Sequence, residues 1–296
     1  MSSTQRPLKA TTPEPGIRQV LAPNGSPMTY HGTNSYILGE GRVAIIDPGP
    51  NDPAHLQALL DALQPGEVVS HILVTHSHVD HSAGVTNLAQ ATGAPVYAFG
   101  DTQAGSKPVL ADIGGGEGLD HTFAPDEIVP DGGWIEGEDW RVQALWTPGH
   151  LGNHLCFAWG NVVFSGDHVM DWATSMVSPP DGNLNDFMAS LQKLMGRRDR
   201  VFYPGHGNPV IDPEARVRNL FDHRKGREAQ ILDALQDGPA DAATLTRRIY
   251  TDVDAYLLPA AQRNVIAHLL ALVEGGRVVS QGPVSASAVF ALTEGG

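Results

Sequence analysis

The chain has almost no cysteine: Cys156 is alone among 296 residues, which excludes an intrachain disulfide and fits a reducing compartment. It has no long apolar run either. Nothing approaches the roughly 20 consecutive apolar residues that span a bilayer, and residues 1–15 are polar and rich in Pro and Thr, unlike a secretory leader. A cytoplasmic protein without a membrane partner is the expectation. Basic residues are scarce, 19 Lys and Arg against 33 Asp and Glu, for a formal net charge of −14. The imbalance lies in residues 1–212, with 10 basic against 23 acidic side chains, whereas residues 213–296 carry 9 against 10. An acidic surface repels polyphosphate and disfavours non-specific nucleic-acid binding, unless a local basic patch or bound cations offset it. What the chain does have is 41% hydrophobic and 18% charged residues, the make-up of a soluble globular protein with a sizeable core. At about 100–200 residues per domain, this length gives one large domain or two unequal ones.

Up to residue 209, short β-rich runs alternate with helical patterns. Ser35-Tyr36-Ile37-Leu38 and Val43-Ala44-Ile45-Ile46 read as paired strands across the turn Gly39-Glu40-Gly41. Asp52 as N-cap and Pro53 at N1 open a helix over 53–63. His71-Ile72-Leu73-Val74 reads as a buried strand, 82–91 as a helix closed by Gly93, and Pro95-Val96-Tyr97-Ala98 as the next strand. Residues 100–131, with Gly114-Gly115-Gly116, read as a long irregular insertion, either functional or filler. Strands over 142–146, 154–158 and 161–164, a helix over 185–195 and a strand over 201–203 follow. Beyond Asp212-Pro213 come helices over 215–235, 242–250 and 259–274, then a β-ribbon of 277–279 with 288–290. Three helices and a ribbon form a winged-helix-like pattern, so the expected domains are 1–212 and 213–296.

The segment Thr75-His76-Ser77-His78-Val79-Asp80-His81 carries the chemistry. His76 and His78 stand two apart just past a strand, so extended backbone sends both side chains to one side; Asp80 and His81 lead into the next helix. Three imidazoles and a carboxylate in one small volume suit a borderline cation such as Zn²⁺. A histidine-rich exposed loop is the bland alternative, and three further segments weigh against it. Thr147-Pro148-Gly149-His150, Ser165-Gly166-Asp167-His168 and Pro204-Gly205-His206-Gly207 each put a glycine turn at a strand end beside a ligand-type side chain. Such turns let His150, Asp167 and His206 face one centre.

In order and type, these motifs resemble the five motifs of the metallo-β-lactamase superfamily. The resemblance implies an α/β fold: a four-layer αβ/βα sandwich with the site at one edge of two packed sheets. It implies that His76, His78 and His150 hold a first metal, Asp80, His81 and His206 a second, and that Asp167 bridges them. Two zinc ions per chain are expected, manganese and iron being compatible with the same donors. Two metals about 3.5–4 Å apart share a water whose pKa falls to near 7, giving a bridging hydroxide that attacks a carbonyl carbon or a phosphorus. Asp80 is the expected catalytic group, orienting the nucleophile and passing its proton to the leaving group. Asp47, before Pro48-Gly49, is open to two readings: acceptor for the N–H of a ligand histidine, or turn aspartate.

In the superfamily's β-lactamases the bridging aspartate generally gives way to Cys or Ser, whereas Asp167 matches the thioesterase and phosphodiesterase branches. Gly32-Thr33-Asn34-Ser35-Tyr36, Thr174-Ser175-Met176-Val177-Ser178-Pro179-Pro180-Asp181-Gly182 and His223-Arg224-Lys225-Gly226-Arg227-Glu228-Ala229-Gln230-Ile231 resemble the β-lactamase-like protein 2 group. That resemblance implies a C-terminal winged-helix-like domain, and the group includes endoribonucleases acting on single strands. The expected reaction is hydrolysis of an ester-like bond, a thioester or a phosphodiester, in a small molecule or single-stranded RNA. A mononuclear iron persulfide dioxygenase and a β-lactam hydrolase are the alternatives. The full second set Asp80, His81 and His206 argues for a hydrolase over an oxygenase, which needs only three protein ligands. A nucleic-acid-binding module with a structural metal is disfavoured because no cysteine joins the ligand set.

His154 and His168 are the candidate substrate contacts, with an ordinary strand role competing for His154. Trp172, Ser178, Asp181 and Asn185 are placed to wall the pocket, with a helix N-cap the plainer reading of Asp181 or Asn185. Arg216, Arg218, Arg224, Lys225 and Arg227 share one predicted helix, as a phosphate-contacting strip or as an interdomain packing face. The near-neutral C-terminal region is unsuited to reading a DNA groove; packing on the first domain or homodimerisation is its expected use.

Overall fold

Val43-Ala44-Ile45-Ile46 has no polar side chain to turn outward, and the strand is buried on both faces: Val43 and Ile45 pack under helices, Ala44 and Ile46 against a second sheet. The computed structural model describes residues 8–107, 113, 115–116 and 118–293. This run is the middle of a seven-stranded sheet, hydrogen-bonded in the order β1 (Thr11–Glu14), β2 (Ile17–Leu21), β3 (Asn34–Leu38), β4 (Arg42–Ile46), β5 (Val68–Leu73), β6 (Val96–Ala98) and β7 (Glu127–Ile128). The first four strands are antiparallel and the last four parallel. A five-stranded sheet holds β8 (Trp134–Glu136), β9 (Arg141–Trp146), β10 (Leu155–Trp159), β11 (Val162–Gly166) and β12 (Val201–Pro204), with β11 and β12 parallel.

The two sheets face each other across a core that includes Leu38, Ile46, Phe157 and Phe164. Each fully buried ring or branched side chain contributes about 1.5–3 kcal/mol by leaving water. Outside the first sheet lie α1 (Pro53–Asp61), capped by Asp52, then α2 (Val79–Ser82) and α3 (Val85–Thr92). The second sheet is covered by α4 (Leu184–Leu194), the front half of α5 (Pro213–Gln236) and one face of a further helix described below. The layers are therefore αβ/βα, as the family resemblance implied.

The remainder forms a smaller core of α6 (Ala242–Ile249), α7 (Leu258–Glu274) and a three-stranded sheet in which β13 (Ala240–Asp241) and β14 (Val278–Gln281) flank β15 (Val289–Leu292). Helix α5 is shared. Val217 and Leu220 pack under the second sheet, Ile231 and Leu235 in the C-terminal core; from α7, Ala267 reaches the former.

Three local differences from the sequence reading have simple causes. Strand β1 is a polar, proline-containing run without buried alternation, and in β2 Arg18-Gln19 interrupts the apolar residues. The helix expected over 82–91 is two pieces, because Gly84 N–H bonds Gly49 O at 2.9 Å instead of continuing α2. The expected insertion over 100–131 contributes β7, while Gly114 and residues 108–112 and 117 lie outside the described residues, as do residues 1–7 of the N-terminal stretch. Among the described residues, no helix is long and apolar enough to cross a membrane.

Candidate metal centre

The two sheets are tied together at one edge. Leu155 N–H donates to Thr75 O at 2.7 Å and Asn34 N–H to Gly205 O at 2.7 Å, while Gly205 N–H bonds Gly166 O at 2.8 Å within the second sheet. The seven candidate ligands emerge here: His76 and His78 beyond β5, Asp80 and His81 from α2, His150 beyond β9, Asp167 beyond β11 and His206 beyond β12. Glycine is required at two of these turns. Gly149 has φ +136°, and a Cβ there would meet Phe187 Cα at 2.3 Å; one on Gly205 would meet Asp167 Oδ1 and His81 Cε1 at 2.6 Å.

Donor atoms converge in two overlapping groups. His78 Nδ1 lies 2.9 Å from His76 Nε2 and 3.0 Å from His150 Nε2. His206 Nε2 lies 3.3 Å from His81 Nε2 and 3.2 Å from Asp80 Oδ2. Asp167 stands between them, its Oδ2 at 3.6 Å from His150 Nε2 and 3.4 Å from His206 Nε2, its Oδ1 at 3.5 Å from His81 Nε2.

Which nitrogens face inward as bare lone pairs follows from what lies behind each ring. His150 Nδ1 meets Met176 O at 2.7 Å and His206 Nδ1 meets Gly32 O at 3.1 Å. Carbonyl oxygens only accept, so both Nδ1 atoms carry the proton and both Nε2 atoms are free to ligate. Thr75 Oγ1 donates to Asp47 Oδ2 at 2.7 Å and therefore accepts from His76 Nδ1 at 3.0 Å. The same Asp47 Oδ2 accepts from His81 Nδ1 at 2.9 Å, and Asp47 Oδ1 accepts Thr75 N–H at 2.7 Å. Asp47 thus orients His81 directly and His76 through Thr75, which decides between its two sequence readings.

Burial lowers His76, His78 (to about 3) and His150, so these rings are neutral, as metal ligation requires. The other group behaves oppositely. Burial also opposes charge on His81 and His206, but Asp80 and Asp167 outweigh it, raising His81 well above its ordinary range and His206 to about 9. Two carboxylates here draw in positive charge, whether protons or a divalent cation. The donor set fits metal on a further ground: Asp167 Oδ1 is buried with no hydrogen-bond partner among the described residues. Borderline cations suit this mix of imidazole nitrogen and carboxylate oxygen. Such a centre can polarise an electrophile and activate water.

His154 and His168 are not brought to the substrate side. Both are fully buried. His154 Nε2 instead accepts Asp167 N–H at 3.2 Å, with Nδ1 on Thr147 Oγ1 at 2.9 Å, while the His168 ring packs 4.6 Å from that of Phe187. Neither Asp181 nor Asn185 caps α4; Asn183 does, accepting from Asp186 N–H, while Asp181 takes Gly116 N–H and Asn185 bonds Glu274. The basic helix is not an open phosphate strip. Arg216 donates to Met170 O and Ala173 O, Arg224 to Thr174 O and Ser175 O, Arg218 and Lys225 pair with Glu214 and Glu228, and Arg227 stacks on Tyr250. Residues 32–36, legible in the sequence as a group motif and the start of a strand but not as part of the site, hold the His206 turn: Gly32 O takes His206 Nδ1–H, Asn34 Nδ2 donates to Pro204 O and Gly207 O, and Tyr36 Oη donates to Pro204 O.

Residues 28–206 match the family described as "Metallo-beta-lactamase superfamily". The chain belongs to the metallo-β-lactamase superfamily. It is an enzyme of that superfamily's metallo-hydrolase class, and residues 242–285 match "Beta-lactamase associated winged helix domain". The chain is 32% identical over 274 residues to "Beta-lactamase-like protein 2 homolog" from Drosophila melanogaster, covering 88% of this chain and 89% of that one, which bears out the narrower resemblance. It is 29% identical to "Atrochrysone carboxyl ACP thioesterase" from Aspergillus fumigatus, over 75% of this chain and 66% of that protein. A metallo-β-lactamase family protein from Thermus thermophilus superposes with a TM-score of 0.76 at 26% identity, over 95% of this chain and 99% of that one.

Proposed function

We propose that this superfamily hydrolase works through a dinuclear centre on an ester-like bond, with a thioester as its substrate class. One observation carries the reading: two complete donor triads, His76/His78/His150 and Asp80/His81/His206, lie side by side with the Asp167 carboxylate reaching both. In this reading each triad holds one ion, and zinc suits the donors, with manganese or iron compatible. Bound there, the ions supply Lewis acidity and a water acidic enough to serve as a nucleophile near neutral pH.

The protein's own groups do the remaining work. The acceptors behind His76, His81, His150 and His206 lock their rings, so no reorientation is needed during turnover. Asp80 is the more accessible carboxylate, its side chain 24% exposed against 10% for Asp167. It is therefore the group to take the proton of the attacking water and deliver it to the leaving thiolate.

Thioester is favoured over single-stranded RNA on charge. The net charge of −14 opposes a polyanion, and Arg216 and Arg224 are engaged with loop carbonyls rather than facing solvent. The thioesterase-named relative supports the same choice. A mononuclear iron oxygenase would have no use for the complete second triad.

The test is a panel of a lactoylglutathione-type thioester, bis(p-nitrophenyl) phosphate, single-stranded RNA, a β-lactam and a glutathione persulfide, with the zinc-loaded protein and its Asp80→Ala variant. Thioester turnover should have the highest kcat/KM, and Asp80→Ala should lower it by about 10²–10⁴-fold. Turnover of RNA without thioester turnover, or oxygen uptake on the persulfide, would overturn the reading.

A further inference from the structure

Arg224 is a buried arginine, 2% exposed, and among the described residues no carboxylate is a hydrogen-bond partner. Its Nη2 donates to Thr174 O at 3.0 Å and Ser175 O at 2.6 Å, and its Nη1 to Asn264 Oδ1 at 2.9 Å. Asn264 Oδ1 in turn accepts from Val177 N–H at 3.4 Å. The two side chains, from α5 and α7, therefore grip the backbone on both sides of Met176. Met176 O is the acceptor that fixes His150 Nδ1–H, at 2.7 Å. Ser175, next to it, sits at φ +57°, a left-handed conformation that a non-glycine residue holds only when its surroundings enforce it. Arg224 bonds that residue's carbonyl, and the Ser175 hydroxyl donates to His168 O at 3.1 Å. Beyond the grip, Arg263 Nε donates to Ser178 Oγ at 2.9 Å and a further Arg263 nitrogen to Pro179 O.

We infer that Arg224 and Asn264 are positioning residues for His150: the C-terminal helices hold the 174–177 backbone so that the Met176 carbonyl orients this ring toward His76 and His78. The inference rests on the reading of His150 as a metal ligand. It gives the C-terminal helices a part in the metal centre without contact with substrate, and it explains an arginine buried with no carboxylate partner among the described residues. A carbonyl presented at a fixed angle selects both the tautomer and the rotation of the imidazole, and loss of such a support typically weakens metal binding by about 10–100-fold.

The test uses the full-length chain and reads zinc affinity by competition with a chromophoric chelator, with Co²⁺ absorption identifying the site. His150→Ala marks what loss of that ligand does to one of the two ions. Arg224→Met should weaken the same ion by about 10–100-fold and leave the other within about twofold, and Asn264→Ala should weaken it less. Arg224→Lys, which keeps a donor for the two carbonyls, should recover most of the loss, and Arg227→Met, on the same helix but stacked on Tyr250, should match the parent. If Arg224→Met does not fold, Asn264→Ala decides. Parental affinity for both ions in Arg224→Met or Asn264→Ala, whatever their melting temperatures, would overturn the inference while His150→Ala still lost an ion. Unchanged affinity in His150→Ala would instead sink the ligand reading, and the inference with it.

Discussion

Asp47 Oδ2 accepts the Nδ1 proton of His81 at 2.9 Å, and this contact turns the opposite nitrogen of His81 toward His206 and Asp167. Asp47→Asn nearly preserves shape but replaces one carboxylate oxygen with an NH₂ donor. With Oδ1 still taking Thr75 N–H, that donor faces His81 Nδ1 and selects the wrong tautomer, with the proton on Nε2. Zinc affinity should fall by about 10–100-fold with the fold intact, measured by chelator competition alongside circular dichroism. Unchanged affinity would mean that the tautomer is set elsewhere.

His154 supports Asp167 from beneath by accepting its backbone N–H at 3.2 Å. His154→Phe fills similar space and leaves that buried N–H without an acceptor, at a cost of about 1–3 kcal/mol in denaturant unfolding. Because the ring is fully buried, KM should stay constant while kcat and zinc affinity fall. A rise in KM alone would show that substrate reaches it.

Stability of the chelator-treated protein should pass through a maximum with pH. The native pKa of His206 is raised to about 9, so the stability it contributes is fully present below its unfolded value and lost as pH rises through about 9. Burial pushes His78 and His168 down to about 3 and His55 to about 4. The unfolded chain binds those protons first, so stability is lost as pH falls below about 6.5. Melting temperatures should therefore peak near pH 6.5 and decline on both sides. Bound zinc, held in part by His206, would keep that ring deprotonated in the native state and should flatten the alkaline limb. An alkaline limb already flat in the chelator-treated protein would contradict the charge balance assigned to this pair.

Sequence made the donors legible because each stands at a strand end marked by a local signal: a short apolar run and then His-x-His, or a Gly turn. Asp47 was legible for the same reason. The groups behind the donors were not. Met176 and Gly32 act through carbonyl oxygens, which every residue possesses, so residue type gives no clue to the role. Arg224 reaches a carbonyl 49 residues away, and helical spacing places it on a face without saying what lies opposite. His154 was visible as a candidate, but its partner depends on which residue of β11's end turn sits above it. Strand β1 escaped notice because its largely exposed Thr-Thr-Pro-Glu run carries no apolar alternation.

The most direct measurement is the number of zinc ions bound per chain after metal removal and reconstitution, by elemental analysis together with calorimetric titration. Two donor triads sharing Asp167 predict two equivalents in the parent, and one in each of His150→Ala and His206→Ala. A single equivalent in the parent, abolished by His150→Ala and untouched by His206→Ala, would contradict the dinuclear centre.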